Sequence, residues 1–118
     1  MALRLATWSI NSVRLRLPLV LRLLKEEQPD ILCLQETKTP DDKFPIKEIE
    51  AAGYTHHAIR GEKGYNGVAI LSRVPLTDIG HHDFCAKGDT RHVMAKAHGI
   101  TIHNCYVPAG GDLSLIHI

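Results

Sequence analysis

No stretch of this sequence stays apolar for anything near the roughly 20 residues that cross a bilayer as a helix. The start, MALRLATWSI, has no sustained apolar core followed by a small-residue cleavage site, so no secretory signal is legible there. The protein is therefore expected to be cytoplasmic and to have no membrane partner. A disulfide framework is missing too. The three cysteines, Cys33, Cys85 and Cys105, are odd in number and lie in apolar, strand-like surroundings, which suits buried free thiols in a reducing compartment. Charge of one sign is also lacking: 14 Lys and Arg against 13 Asp and Glu give a formal +1, so a nucleic-acid partner has to be argued from a local patch or site. Arg14, Arg16 and Arg22 form one such cluster, which taken alone reads as the solvated beginning of a helix. Low-complexity segments, internal repeats and long linkers are absent. At 118 residues, 44% hydrophobic and 23% charged, the chain suits one small folded domain rather than two or a disordered segment.

What is present is an α/β pattern. Leu3 to Ile10 reads as a short first strand that stops at Asn11-Ser12. Leu17, Val20, Leu21 and Leu24 recur on one face of a helix, Pro18 suits its first turn, and Gln28-Pro29 closes it. The apolar run DILCL then reads as a strand covered on both faces, delivering QETK at its end. A second helix is expected after Pro45, with Ile46 and Ile49 facing inward and Gly53 as its left-handed stop. Beyond it YTHHAI, NGVAILS, LTDIGHHDF, RHVMAKA and ITIHNCYV are short strands punctuated by turn residues, and His98-Gly99 reads as a tight hairpin. The sum is a βαβ unit followed by largely antiparallel strands.

Several familiar signatures are missing: GxGxxG, the P-loop, the GxSxG elbow, CxxC and HExxH. The candidates that remain sit at strand ends. Glu36 directly follows a buried strand and is either a solvated loop acid or a rigidly held hard oxygen ligand suited to Mg²⁺. Asn11 ends the first strand; if the two strands are parallel neighbours it shares a sheet edge with Glu36, the edge where open α/β sheets gather ligands. It can equally serve as a helix cap or turn residue. Tyr106 is either a half-buried packing residue or a hydroxyl reaching a site at the strand tip. Arg91 could grip a phosphate in bidentate fashion or form an ordinary salt bridge. The cluster His81, His82, Asp83 and the pair His103, Cys105 invite a zinc reading, but adjacent strand residues point to opposite faces and the ligand spacings are wrong.

Taken in order, TWSINSVRLR, PDILCLQETK, GYNGVAILSR, RHVMAK and NCYVPAGGD resemble the amino-terminal half of the exonuclease III family of DNA-repair nucleases, within the endonuclease/exonuclease/phosphatase superfamily. The resemblance covers roughly residues 3 to 112. It implies the amino-terminal half of a DNase I-like four-layer α/β sandwich and a Mg²⁺-dependent phosphodiesterase, with Mn²⁺ as an alternative ion. It further implies cutting of duplex DNA at abasic sites and trimming of 3′ ends, by a full-length enzyme that is monomeric. On this resemblance Glu36 matches the metal-binding glutamate of LQETK, Tyr106 the active-site tyrosine of N-x-Y-x-P, and Arg91 a DNA-backbone contact.

The sequence departs from the family in two places. The family reads W-N-I-N or W-N-V-D at the first strand, whereas this chain has Trp8-Ser9-Ile10-Asn11. Asn11 matches the second polar position, near the metal, and Ser9 replaces an asparagine that helps organise the site, losing the amide's donor, acceptor and reach. The family's G-D-x-N and S-D-H segments, with the water-orienting aspartate and the catalytic histidine, do not occur. The chain is thus expected to be inactive by itself and, with each half of the family fold supplying one sheet, to expose the inner face of its only sheet. LSLIHI, residues 113–118, matches nothing in the family and is read as a foreign or frame-shifted tail. Two other readings are a superfamily phosphodiesterase acting on phospholipid or inositol phosphate, and a non-catalytic binding module.

Overall fold

The computed structural model describes residues 3–81 and 90–106; the expectations for Cys85, His82, Asp83 and the 113–118 tail fall outside them. The first strand, β1 (Leu5–Ser9), leads through a loop into helix α1 (Leu17–Glu27), with Pro18 in its first turn. Gln28 turns left-handed at φ 47° before Pro29 and ends the helix. Strand β2 (Ile31–Gln35) then runs parallel to β1, pairing Leu5 with Ile31 and Ser9 with Gln35. A single 3₁₀ turn (Asp41–Lys43) precedes α2 (Ile46–Ala51), which stops at Gly53, φ 99°, as its left-handed conformation demands. Strands β3 (His56–Arg60) and β4 (Val68–Ser72) complete a four-stranded sheet of order β1-β2-β4-β3 in which only β1 and β2 are parallel.

The remaining strands do not extend that sheet. β5 (Thr77–Gly80), β6 (His92–Ala97) and β7 (Ile100–Cys105) form a second, antiparallel sheet, with β6 and β7 joined by His98-Gly99, both at positive φ as a two-residue hairpin turn requires. The expectation of one sheet with a bare inner face is therefore corrected. Val93, Ala95, Ala97 and Ile102 of the second sheet pack onto Ile31, Cys33, Ala58, Val68 and Ile70 of the first, so the inner face of β2, β4 and β3 is covered. Their alternation is the reason: β6 and β7 each carry a single apolar face, which needs a sheet to lie against. Among the described residues of this sheet, only β1 keeps an open inner face, where Leu5 is 55% exposed.

On the other face of the first sheet, Val20 and Leu24 of α1 and Ile49 of α2 bury against Leu32, Leu34, Ala69 and Leu71. β2 and β4 are thus apolar on both sides, as their unbroken apolar runs anticipate. The described residues form helices, sheet and sheet in that order, three layers of the sandwich.

Candidate active site at the exit of the first two strands

Because β1 and β2 are parallel, both release their chain at the same edge, and the ladder between them continues past their ends. Ile10 N donates to Gln35 O at 2.9 Å, Ser12 N to Glu36 O at 2.8 Å, and Val13 N to Thr37 O at 3.0 Å. β4 runs the other way, so its beginning lies at this edge too: Thr37 N donates to Gly67 O and Lys38 N to Asn66 O. The second sheet joins through Gly67 N, which donates to Thr90 O at 2.9 Å. It joins also through Tyr106 N, which donates to Arg91 O at 2.8 Å where β6 begins and β7 ends.

This edge holds most of the unusual backbone. Asn11, Ser12, Glu36, Lys38 and Asn66 all have positive φ, a conformation that costs a non-glycine residue about 1 kcal/mol or more and persists only where surrounding bonds enforce it. Here the inter-loop hydrogen bonds do so, and the outcome is a fixed direction for the Glu36 side chain. Glu36 Oε1 accepts from the Tyr106 hydroxyl at 2.8 Å, and Ser9 Oγ reaches Oε2 at 3.4 Å. Lys38 Nζ donates to Asn11 Oδ1 at 2.5 Å. Burial, then the neighbouring Glu36 carboxylate, pushes the Tyr106 phenol up to about 12, so at neutral pH it is a donor.

Of the residues singled out in the sequence, Glu36, Tyr106 and Ser9 come into direct contact. Asn11 stands at the same edge, in a loop bonded to the Glu36 backbone, with its amide oxygen turned to Lys38 rather than to the carboxylate. Arg91 is held beside Tyr106 through its own carbonyl and is partly buried. His103 and Cys105 share the outer face of β7, and His103 Nδ1 stands 3.0 Å from His92 Nε2. Among the described residues no group of three or more His, Cys, Asp or Glu is placed to hold a metal ion, and two members of the His81, His82, Asp83 cluster lie outside those residues.

The donors at the edge are oxygens, the chemistry Mg²⁺ takes, and this ion commonly binds through one or two carboxylates with water completing its shell. Glu36 fits as such a carboxylate; the Asn11 amide oxygen lies at the same edge but is held by Lys38 Nζ.

Three further residues were passed over in the sequence. Lys38 was visible only as the end of QETK. Asn104 is 3% exposed; its Nδ2 donates to Leu34 O at 2.9 Å and Ala69 O at 2.8 Å, and its Oδ1 accepts from Gln35 Nε2 at 2.6 Å. Gln35 Nε2 also donates to Thr7 Oγ1 at 2.9 Å. A signal for Asn104 existed: it sits in the inward phase of β7 after Ile102, and a buried amide must find partners.

The sequence matches the Endonuclease/Exonuclease/phosphatase family over residues 6–113. It is 34% identical over 114 residues to Recombination repair protein 1 of Drosophila melanogaster, covering 92% of this chain and 16% of that protein. The structure is similar to that of an AP endonuclease from Archaeoglobus fulgidus, with TM-score 0.86, 42% identity, and coverage of 96% of this chain and 44% of that one. A 3′ phosphatase from Neisseria bound to product DNA hairpin gives TM-score 0.84 and 38% identity over 90% of this chain and 42% of its own. The chain spans less than half the length of each of these proteins, and no described helix is long and apolar enough to cross a membrane. With the family match running over residues 6–113, from β1 to beyond Tyr106, and the structural likeness covering 96% of the chain, the chain belongs to the Endonuclease/Exonuclease/phosphatase family.

Proposed function

We propose that the protein to which this chain contributes is a DNA-repair hydrolase that cleaves phosphodiesters of duplex DNA at abasic sites and 3′ ends. The observation that carries the reading is the Tyr106 hydroxyl bonded to Glu36 Oε1 at the shared exit of β1 and β2. It is supported by the names of similar proteins, an AP endonuclease and a 3′ phosphatase bound to a DNA hairpin.

Glu36, with Asn11 alongside, would hold Mg²⁺ or Mn²⁺. The bound ion would draw charge from the phosphoryl oxygens and favour a negatively charged transition state. Tyr106 keeps its proton well above neutral pH and offers it to an oxygen at the site, either of Glu36 or of a phosphate. Arg91 supplies a guanidinium beside it for the DNA backbone. Ser9 offers Glu36 a long contact where an amide would reach closer. Water activation needs groups that these residues do not provide, so the 118-residue chain alone is expected not to turn over. We infer a cytoplasmic setting, supported by the free thiols Cys33 and Cys105.

The test is cleavage of a duplex oligonucleotide bearing one abasic-site analogue by the gene product that contains this chain, with and without EDTA. Glu36→Gln should lower the rate by roughly 10²-fold or more, the scale expected for a group that stabilises transition-state charge. Cleavage that persists unchanged in Glu36→Gln and in EDTA would sink the reading, as would hydrolysis of inositol phosphates in place of DNA.

A further inference from the structure

The two groups that meet in the candidate site belong to different sheets, Glu36 to the loop leaving β2 and Tyr106 to the end of β7. Their separation therefore depends on how the second sheet is set against the first. Most of that interface is aliphatic: Val93, Ala95, Ala97 and Ile102 against Ile31, Cys33, Val68 and Ile70. Aliphatic contact is strong but non-directional and leaves a sheet free to slide by fractions of an ångström. Among the described strands, β7 is moreover paired through its backbone with β6 alone.

Polar bonds also tie the sheets at the rim, Gly67 N to Thr90 O and Thr90 Oγ1 to Glu62, and within the apolar interface itself Asn104 breaks the pattern. Asn104 and Tyr106 lie two positions apart and so share the inward face of the chain leaving β7. The Asn104 amide is buried and bonds across the interface to two strands at once, to Leu34 O of β2 and Ala69 O of β4. Its oxygen accepts from Gln35, the residue immediately before Glu36, and Gln35 in turn holds Thr7 of β1. A continuous set of directional bonds thus links β7, β2, β4 and β1 next to the Glu36–Tyr106 contact, touching the residue adjacent to one partner and the residue two before the other.

We propose that Asn104 is a positioning residue: its amide fixes the second sheet on the first beside the site and so sets the distance between the Tyr106 hydroxyl and the Glu36 carboxylate. The catalytic meaning of this distance rests on the function proposed above, but the geometric statement does not, and the two can fail separately.

The chain contains three tyrosines, which give three lines when labelled with 3-fluorotyrosine and read by ¹⁹F NMR. Tyr54 is buried on the helical side of the first sheet and reports folding, Tyr65 is 62% exposed and serves as a solvent reference, and Tyr106 is identified by its loss in Tyr106→Phe. Asn104→Leu, matched in size and without polar atoms, should displace the Tyr106 line while those of Tyr54 and Tyr65 stay in place. An unmoved Tyr106 line in the folded variant overturns the proposal. Should all lines collapse to their unfolded positions, Gln35→Leu makes a smaller break in the same set of bonds, and there a moved Tyr106 line supports the proposal and an unmoved one overturns it.

In the gene product, Asn104→Leu should lower kcat roughly 10- to 100-fold, as sub-ångström to ångström misplacement does, with KM nearly constant. It should cost little more once Tyr106 is already Phe. A loss confined to KM, or one that multiplies in full with that of Tyr106→Phe, counts against it. Absence of DNA cleavage by the unsubstituted protein would refute the function while the ¹⁹F result still decides the placement of Tyr106.

Discussion

Tyr106 and Glu36 lie 70 positions apart in the chain and meet at 2.8 Å, phenol as donor and carboxylate as acceptor. Burial and the carboxylate both disfavour the phenolate, which is why the proton is retained to about pH 12. In an unfolded chain a tyrosine titrates near pH 10. The stability linked to this proton is therefore fully present below about pH 10 and lost as pH climbs through about 12. Tyr106→Phe should lack this segment of the curve, so urea denaturation from pH 9 to 12 should show a shallower decline in the variant. Tyr54 is also shifted upward by burial and titrates in both proteins, which makes the difference between the two curves the quantity to read. If the curves run parallel, neither burial nor the Glu36 carboxylate holds the Tyr106 proton in solution.

Asp30 predicts the opposite sign at the other end of the pH scale. The Arg4 backbone N–H at 2.8 Å and the Arg73 guanidinium at 3.0 Å hold its carboxyl below the usual 3.8. The associated stability is present above the unfolded value and disappears as pH falls through the lower folded one. Asp30→Asn should lower the urea midpoint at pH 7 and should show a smaller further loss than the parent between pH 4 and pH 2. An identical acid profile would show that the Arg4 and Arg73 bonds carry no linkage.

Much of this was legible in advance because it is local. Pro18, Gln28-Pro29, Gly53 and His98-Gly99 punctuate the elements where the structure ends them, each for a backbone reason confined to a few residues. Glu36 could be placed at a strand end, and its sharing of an edge with Asn11 needed only the parallel pairing of β1 with β2. Sheet membership was not legible. The alternation of Val93, Ala95 and Ala97 says that β6 has an apolar face but not which sheet it covers, and so is compatible with one sheet or two. Lys38 and Asn104 were missed for the same reason, since their roles exist only across loops or sheets that long-range pairing brings together.

Cysteine reactivity should differ by position. Burial raises Cys33 to about 11, whereas Cys105 is exposed and its thiol is also pushed up by partial burial. Since the thiolate is the reacting species, alkylation at pH 8 followed by peptide mapping should label Cys105 in the folded chain and leave Cys33 untouched until denaturant is added. Equal labelling of the two under native conditions would mean that the inter-sheet core opens readily.

Ser9 is the departure from the family pattern that contacts the site. Its hydroxyl lies 3.4 Å from Glu36 Oε2, a weak bond at best, and the residue is exposed, with room beyond it. An asparagine there extends the donor by one heavy atom toward the carboxylate. A hydrogen bond to a charged group contributes about 1.5–3 kcal/mol, so even its lower end corresponds to roughly tenfold in rate if it orients Glu36 in the transition state. Ser9→Asn in the gene product should therefore raise kcat on abasic-site DNA by about tenfold. An unchanged or reduced rate would remove Ser9 from the account of the site.

Gly67 joins the loop geometry to stability. It sits at φ 96°, and a Cβ built on it would stand 2.1 Å from Thr37 Oγ1, closer than any real contact. Thr37 cannot retreat easily: it is 1% exposed, its N–H is bonded to Gly67 O, and its carbonyl is bonded to Val13 N. Gly67→Ala therefore combines a left-handed alanine, about 1 kcal/mol, with overpacking of a buried contact, about 1–3 kcal/mol. A loss of about 2–4 kcal/mol in urea denaturation is expected, with the Glu36 loop displaced because Thr37 is its next residue. Thr37→Ala removes the atom that the new methyl group strikes, so the double variant should regain the overpacking part and keep the backbone part. If it regains nothing, the clash with Thr37 is not what makes glycine necessary there.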